Sequence, residues 1–211
     1  MQEIGIYQLS NMLQAAADEI IKNKTYLSEL DTFIGDGDHG TTIARTMEVM
    51  LTAVAHSPQD NLKVLLEKVG WEILGVNGGA TGPLFGSLFL GLSDGMGAAA
   101  TIDAKMLAKM FKKAEERVLK VSGASAGDKT LIDALLQAVA AIEGHAGEGD
   151  ICAQLEAAAE AADKGAEATI NMTAKKGRAK NMSQRSFGHK DPGATSMALL
   201  FKGLSIGARK S

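Results

Sequence analysis

Residues 31–42, DTFIGDGDHGTT, place Asp31, Asp36 and Asp38 within eight positions, separated by glycines and followed by Thr41 and Thr42. What flanks this stretch decides the fold. Upstream, Leu9, Met12, Leu13, Ala16 and Ile20 recur at helical spacing and predict a first helix running to about Leu30. Downstream, Ile43, Met47, Met50, Leu51 and Val54 predict a second helix from near Thr41. Gly35, Gly37 and Gly40 match G-x-G-x-x-G, but the dinucleotide fingerprint follows a strand, and here a helix precedes it.

The helical period continues along the chain. A third helix is predicted over roughly 60–76, a fourth after Pro83, and a fifth through Met106, Met110, Phe111, Ala114 and Val118. Leu131, Leu135, Val139 and Ile142 mark a sixth, and the alanine-rich stretch from Ile151 to about Ala174 a seventh. The eighth follows Gly193. No stretch sustains the period-two alternation of a strand. The reading is all-α: an eight-helix antiparallel up-and-down bundle or barrel, forming one domain over residues 1–211.

Composition narrows the function. A net charge of −3 gives no footing for a nucleic-acid binder. The single cysteine, Cys152, excludes an internal disulfide and reads as a small apolar residue. No apolar run reaches a membrane-helix length, and the N-terminus lacks a signal-peptide pattern, so a cytoplasmic protein is expected, with no membrane partner.

In an up-and-down array every odd-to-even junction falls at one end. Those junctions are GDGDHG, NGGATGP, SGASAGDKT and KKGRAKNMSQRSFGHKDPG. The opposite junctions, HSPQD, DGMGAAATID and GHAGEGD, carry fewer oriented polar groups. Four chemically loaded loops are therefore expected to meet at one end.

The aspartates read either as a solvated acidic loop with Asp36 or Asp38 capping the second helix, or as ligands of divalent cations. Calcium in an EF-hand fits poorly, because the twelfth position from Asp36 is Met47. SGASAGDKT has the wrong spacing for a Walker loop: Gly123 and Gly127 are too close, and Asp128 precedes Lys129. It reads as a flexible turn or as backbone contact to a nucleotide. NGGATGP leads into a helix N-terminus, which reads either as a packing turn or as a phosphate cradle. In the basic last loop, Arg178 is the choice for phosphate, since its planar fork pairs with two oxygens. His39 and His189 read either as ordinary loop histidines or as contacts to phosphate or substrate.

Taken in order, GDGDHGTT, GGATGPLFG, GDKT followed by Asp133, and GRA…RSFGHKDPGATS resemble the nucleotide-binding L subunit family of the dihydroxyacetone kinases, across nearly the whole chain. The resemblance implies an eight-helix barrel with the nucleotide at one end. It implies two Mg²⁺ ions on Asp31, Asp36 and Asp38, clamping the phosphates of ADP or ATP. It implies nucleotide contacts at His39, Gly40, Thr41, Thr42, Ala80, Thr81, Gly123, Leu131, Arg178, Asp191, Pro192 and Gly193, with Arg178 in the catalytic role. Thr42 falls where members of the family vary.

The family chemistry is phosphoryl transfer to a short-chain ketose, held on a separate K subunit that carries dihydroxyacetone. The implied partners are that K subunit and an M subunit phosphocarrier of the phosphotransferase system, which recharges a retained ADP; a homodimer is a further expectation. Two alternatives stay open. One is an ATP-dependent subunit acting on another ketose. The other is a nucleotide-sensing interaction protein.

Overall fold

The computed structural model describes residues 1–57, 61–97 and 99–210. Asp60, where the third predicted helix was to begin, and part of the HSPQD and DGMGAAATID junctions lie outside the described residues. Among those described, nine α-helices carry the chain: α1 (Ile6–Lys22), α2 (Lys24–Ile34), α3 (His39–Ala55), α4 (Leu62–Leu74), α5 (Thr81–Met96), α6 (Ala104–Ser122), α7 (Leu131–His145), α8 (Ile151–Ala168) and α9 (Pro192–Lys210). The first predicted helix is thus two. Asn23 breaks it, leaving helical geometry at ψ 13° while its side-chain amide donates to the Glu19 carbonyl at 2.7 Å. That bond satisfies one of the carbonyls a helix end leaves unpaired.

Several starts follow from capping chemistry. Asn61, Asp103 and Asp150 each accept a backbone N–H from the first turn of α4, α6 and α8. The seventh predicted helix stops six residues early. After Ala168 the chain tightens into a 3₁₀ turn, Thr169–Asn171, where the Thr169 hydroxyl donates to the Ala166 carbonyl. The basic loop beyond it contains a second 3₁₀ segment, Arg178–Ser186, with Ser183 at φ 46°. A two-residue antiparallel pair joins β1 (Glu3–Ile4) to β2 (Ile102–Asp103).

Each helix packs on the next in the order α1, α3, α4, α5, α6, α7, α8, α9, and α9 returns to α1. The ring is closed, a barrel, with α2 applied outside it against α3, α9 and the second 3₁₀ segment. Closure needs bare backbone on α9. A Cβ on Gly203 would lie 2.3 Å from the Ala16 Cα, and one on Gly207 2.5 Å from the Met12 Cα. One apolar core fills the ring, with Phe111 and Phe201 in tilted contact at 5.2 Å. No helix among the described residues is long and apolar enough to cross a membrane.

Candidate functional site

The N-termini of α3, α5, α7 and α9 all open on one cleft of about 540 Å³. Its walls come from four junctions: Asp31 to His39, Gly78 to Pro83, Ser122 to Leu131, and Lys176 to Gly193. These are the four loops that the up-and-down argument gathered at one end. Four positive helix ends favour an anion there.

Asp31 lies in the last turn of α2 and is buried. One carboxylate oxygen accepts the His39 N–H at 3.1 Å. The other lies so close to Gly35 that a Cβ there would sit 2.1 Å away, so only glycine admits the carboxylate in this position. Gly37, at φ 77°, turns the chain back toward α3. Asp36 and Asp38 are exposed, and each can present an oxygen so that all three donor atoms lie within 4.8 Å of one another. A hard divalent cation such as Mg²⁺ takes carboxylate oxygens of this kind and leaves room for phosphate or water. The donor set fits.

Arg178 reaches across from the last loop. Its guanidinium pairs with Asp36, and with Asp38 at 3.2 Å. Those hydrogen bonds, Asp38 first and then Asp36, raise its pKa further. Partial desolvation pushes the Asp36 carboxyl up, but the Arg178 hydrogen bond and charge together outweigh it and hold the group below its ordinary value. His39 opens α3, with Nε2 2.6 Å from the Ser196 hydroxyl. Burial pushes its imidazole below the usual value against the charges of Asp31 and Asp38.

Of the residues singled out in the sequence, Asp31, Asp38, His39, Ala80, Thr81, Leu131, Arg178, Asp191, Pro192 and Gly193 line the cleft. Asp36 stands at its edge, joined to it through Arg178. Gly40, Thr41, Thr42 and Gly123 are not on the wall. Thr41 is exposed, and Thr42 is buried beneath Gly78, where a Cβ would meet its methyl at 2.7 Å. Gly40 is buried against α2. Gly123 ends α6 in the left-handed conformation, φ 56°. His189 stacks its ring on Phe33, with centroids 4.9 Å apart.

Asp191 caps α9 by accepting the Ala194 N–H at 2.7 Å. Its burial pushes the carboxyl up to about 7, opposed by that hydrogen bond and by the Lys129 charge. Sequence reasoning passed over Lys129. It is 1% exposed and lies in the wall of the cleft. A lysine in a glycine-rich loop carries no signal that distinguishes it from a solvated one.

The site and the closed ring define a helical barrel with an acidic, anion-attracting cleft at one end. The DAK2 domain family matches residues 33–205, and the chain belongs to that family. It is 32% identical, over 96% of its length and 97% of the relative's, to the ADP-binding subunit DhaL of the PEP-dependent dihydroxyacetone kinase of Escherichia coli (strain K12). It is 36% identical, over 89% of its length and 90% of the relative's, to the ADP-binding subunit DhaL of a PTS-dependent dihydroxyacetone kinase from Lactococcus lactis subsp. lactis (strain IL1403). A crystal structure of the dihydroxyacetone kinase from C. freundii in complex with AMP-PNP and Mg²⁺ superimposes with a TM-score of 0.73 at 26% identity. That match covers 96% of this chain and 33% of the solved one.

Proposed function

We propose that this chain is the nucleotide-holding, phosphoryl-donor subunit of a dihydroxyacetone kinase, passing phosphate to a ketose bound on a separate K subunit. The observation that supports it best is the meeting of three aspartates, Arg178 and four helix N-termini around one cleft. Asp31, Asp36 and Asp38 would hold Mg²⁺, two ions by the family pattern, and the bound Mg–nucleotide supplies the phosphoryl group. Asp31 is fixed by the His39 N–H, so its free oxygen is set before any ligand arrives. Arg178 exchanges its carboxylate partners for phosphate oxygens and offsets the charge that builds up there during transfer. The backbone N–H groups at the starts of α5 and α9 orient the phosphate chain. No side chain of this protein is assigned a proton transfer on the sugar.

Likeness to subunits named ADP-binding and PEP- or PTS-dependent supports ADP as a retained coenzyme, recharged by an M subunit. The test is to purify the protein without added nucleotide, desalt it, denature it and identify what is released by mass spectrometry. Roughly stoichiometric ADP is expected. A site that is empty on isolation, binds Mg·ATP and releases ADP would refute the retained-coenzyme reading.

A further inference from the structure

Lys129 has an environment that a loop lysine rarely has. It sits between α6 and α7 at φ 60°, a strained conformation for a residue with a side chain, and its side chain is almost wholly enclosed. Its ammonium donates to the carbonyls of Thr169, just beyond α8, and of His189, at the entry to the turn before α9. Thr169 extends the connection, because its hydroxyl accepts the Asp191 N–H at 2.9 Å. The turn that ends in Asp191, Pro192 and Gly193 is therefore held at both its start and its middle. Its position matters to the other wall: a Cβ on Gly193 would lie 3.6 Å from the Leu131 nitrogen, so the turn closely faces the start of α7.

We propose that Lys129 is a positioning residue for the nucleotide site, holding the 189–193 turn at a fixed distance from the start of α7 through the Thr169 and His189 carbonyls. The inference rests on the nucleotide-binding reading above. A buried ammonium suits the task because it donates to two carbonyls from different segments at once, and no apolar side chain can do so. The Thr169 carbonyl also accepts the Met172 N–H at 3.1 Å, so Lys129 adds a link between segments to a carbonyl already in use. Lys129 acts through the turn and needs no contact with the ligand.

The test compares Lys129→Met with Ile142→Ala, a core truncation at the far end of α7, as a control for general destabilisation. Two quantities are read: the Kd for Mg·ADP, and amide hydrogen exchange across residues 187–194 without nucleotide. Lys129→Met should weaken Mg·ADP binding at least tenfold and speed exchange in that segment at least tenfold, while Ile142→Ala leaves both within threefold. A Lys129→Met protein that matches wild type in either readout overturns the proposal. Should Lys129→Met fail to fold, Lys129→Gln keeps a polar side chain at the position but is too short to bridge the Thr169 and His189 carbonyls. It should move both readouts in the same direction, and an unchanged pair would equally overturn the proposal. If wild type binds no nucleotide, the binding reading fails, while the exchange data still decide whether Lys129 holds the turn.

Discussion

Gly40→Ala links the packing of α2 to the metal-ligand geometry. A Cβ at residue 40 would lie 2.0 Å from the Lys24 carbonyl oxygen, 2.7 Å from the Ser28 hydroxyl and 2.8 Å from the Ser28 nitrogen. Two of these neighbours are backbone, so no rotamer change relieves the clash. Restoring ordinary contact at 3.4 Å requires α2 to move by about 1.4 Å relative to α3. Overpacking of this kind costs about 1–3 kcal/mol, offset by no more than about 1 kcal/mol from alanine's better helix propensity. With a net loss of about 1–2 kcal/mol, Tm should fall by about 2–8 °C for a chain of this size. Because α2 carries Asp31 in its last turn, the same movement pulls that carboxylate away from Asp36 and Asp38. Mg·ADP affinity should drop at least tenfold. Differential scanning calorimetry and titration calorimetry on one preparation read both effects. A variant with Tm within about 2 °C of wild type and unchanged affinity would refute the reasoning.

Other substitutions probe the charges. Arg178→Ala should slow phosphoryl transfer to the K-bound ketose by about 10³-fold or more, and Arg178→Lys should not restore it, since a point charge lacks the planar fork; rapid-quench assays would decide. Without nucleotide, Arg178→Ala should also tighten Mg²⁺ binding by less than about fivefold, because the arginine competes for Asp36 and Asp38 through an exposed pair; weaker binding would contradict the competition. Asp36→Ala should abolish the Mg²⁺-dependent part of nucleotide affinity while leaving the circular dichroism spectrum nearly unchanged. Asp191 gives a pH test. Its folded pKa, about 7, lies above the ordinary 3.8, so between those values the native state holds a proton that the unfolded chain has released. Its contribution to stability is greatest below pH 3.8, falls as pH rises toward 7, and is level above that. From pH 5 to pH 8, Asp191→Asn should gain more than about 1 kcal/mol on wild type in urea unfolding, and a gap moving the other way would contradict the burial argument.

The helical periods and the placement of the loaded loops were legible because both depend on local pattern and chain order. The break at Asn23 was not. Apolar residues continue past it to Leu27, and the cap is an asparagine amide folding back on Glu19, a contact that periodicity does not report. The β1–β2 pair is two residues long, too short for an alternation to show. Within the cleft, the aspartate loop could be placed from its spacing, as could Arg178 from its chemistry. Thr42 facing Gly78, and Lys129 enclosed between Thr169 and His189, depend on segments brought together only by closing the ring. A lysine in a glycine-rich loop reads as solvated until that closure is known.

The central claim is that this cleft holds a nucleotide through cations on the aspartate loop. Titration calorimetry of nucleotide-stripped protein with ADP, once in Mg²⁺ and once in EDTA, tests it most directly. The account predicts saturable one-to-one binding in Mg²⁺ and a loss of at least a hundredfold in affinity in EDTA. Equal affinity in both, or no binding in either, would contradict it.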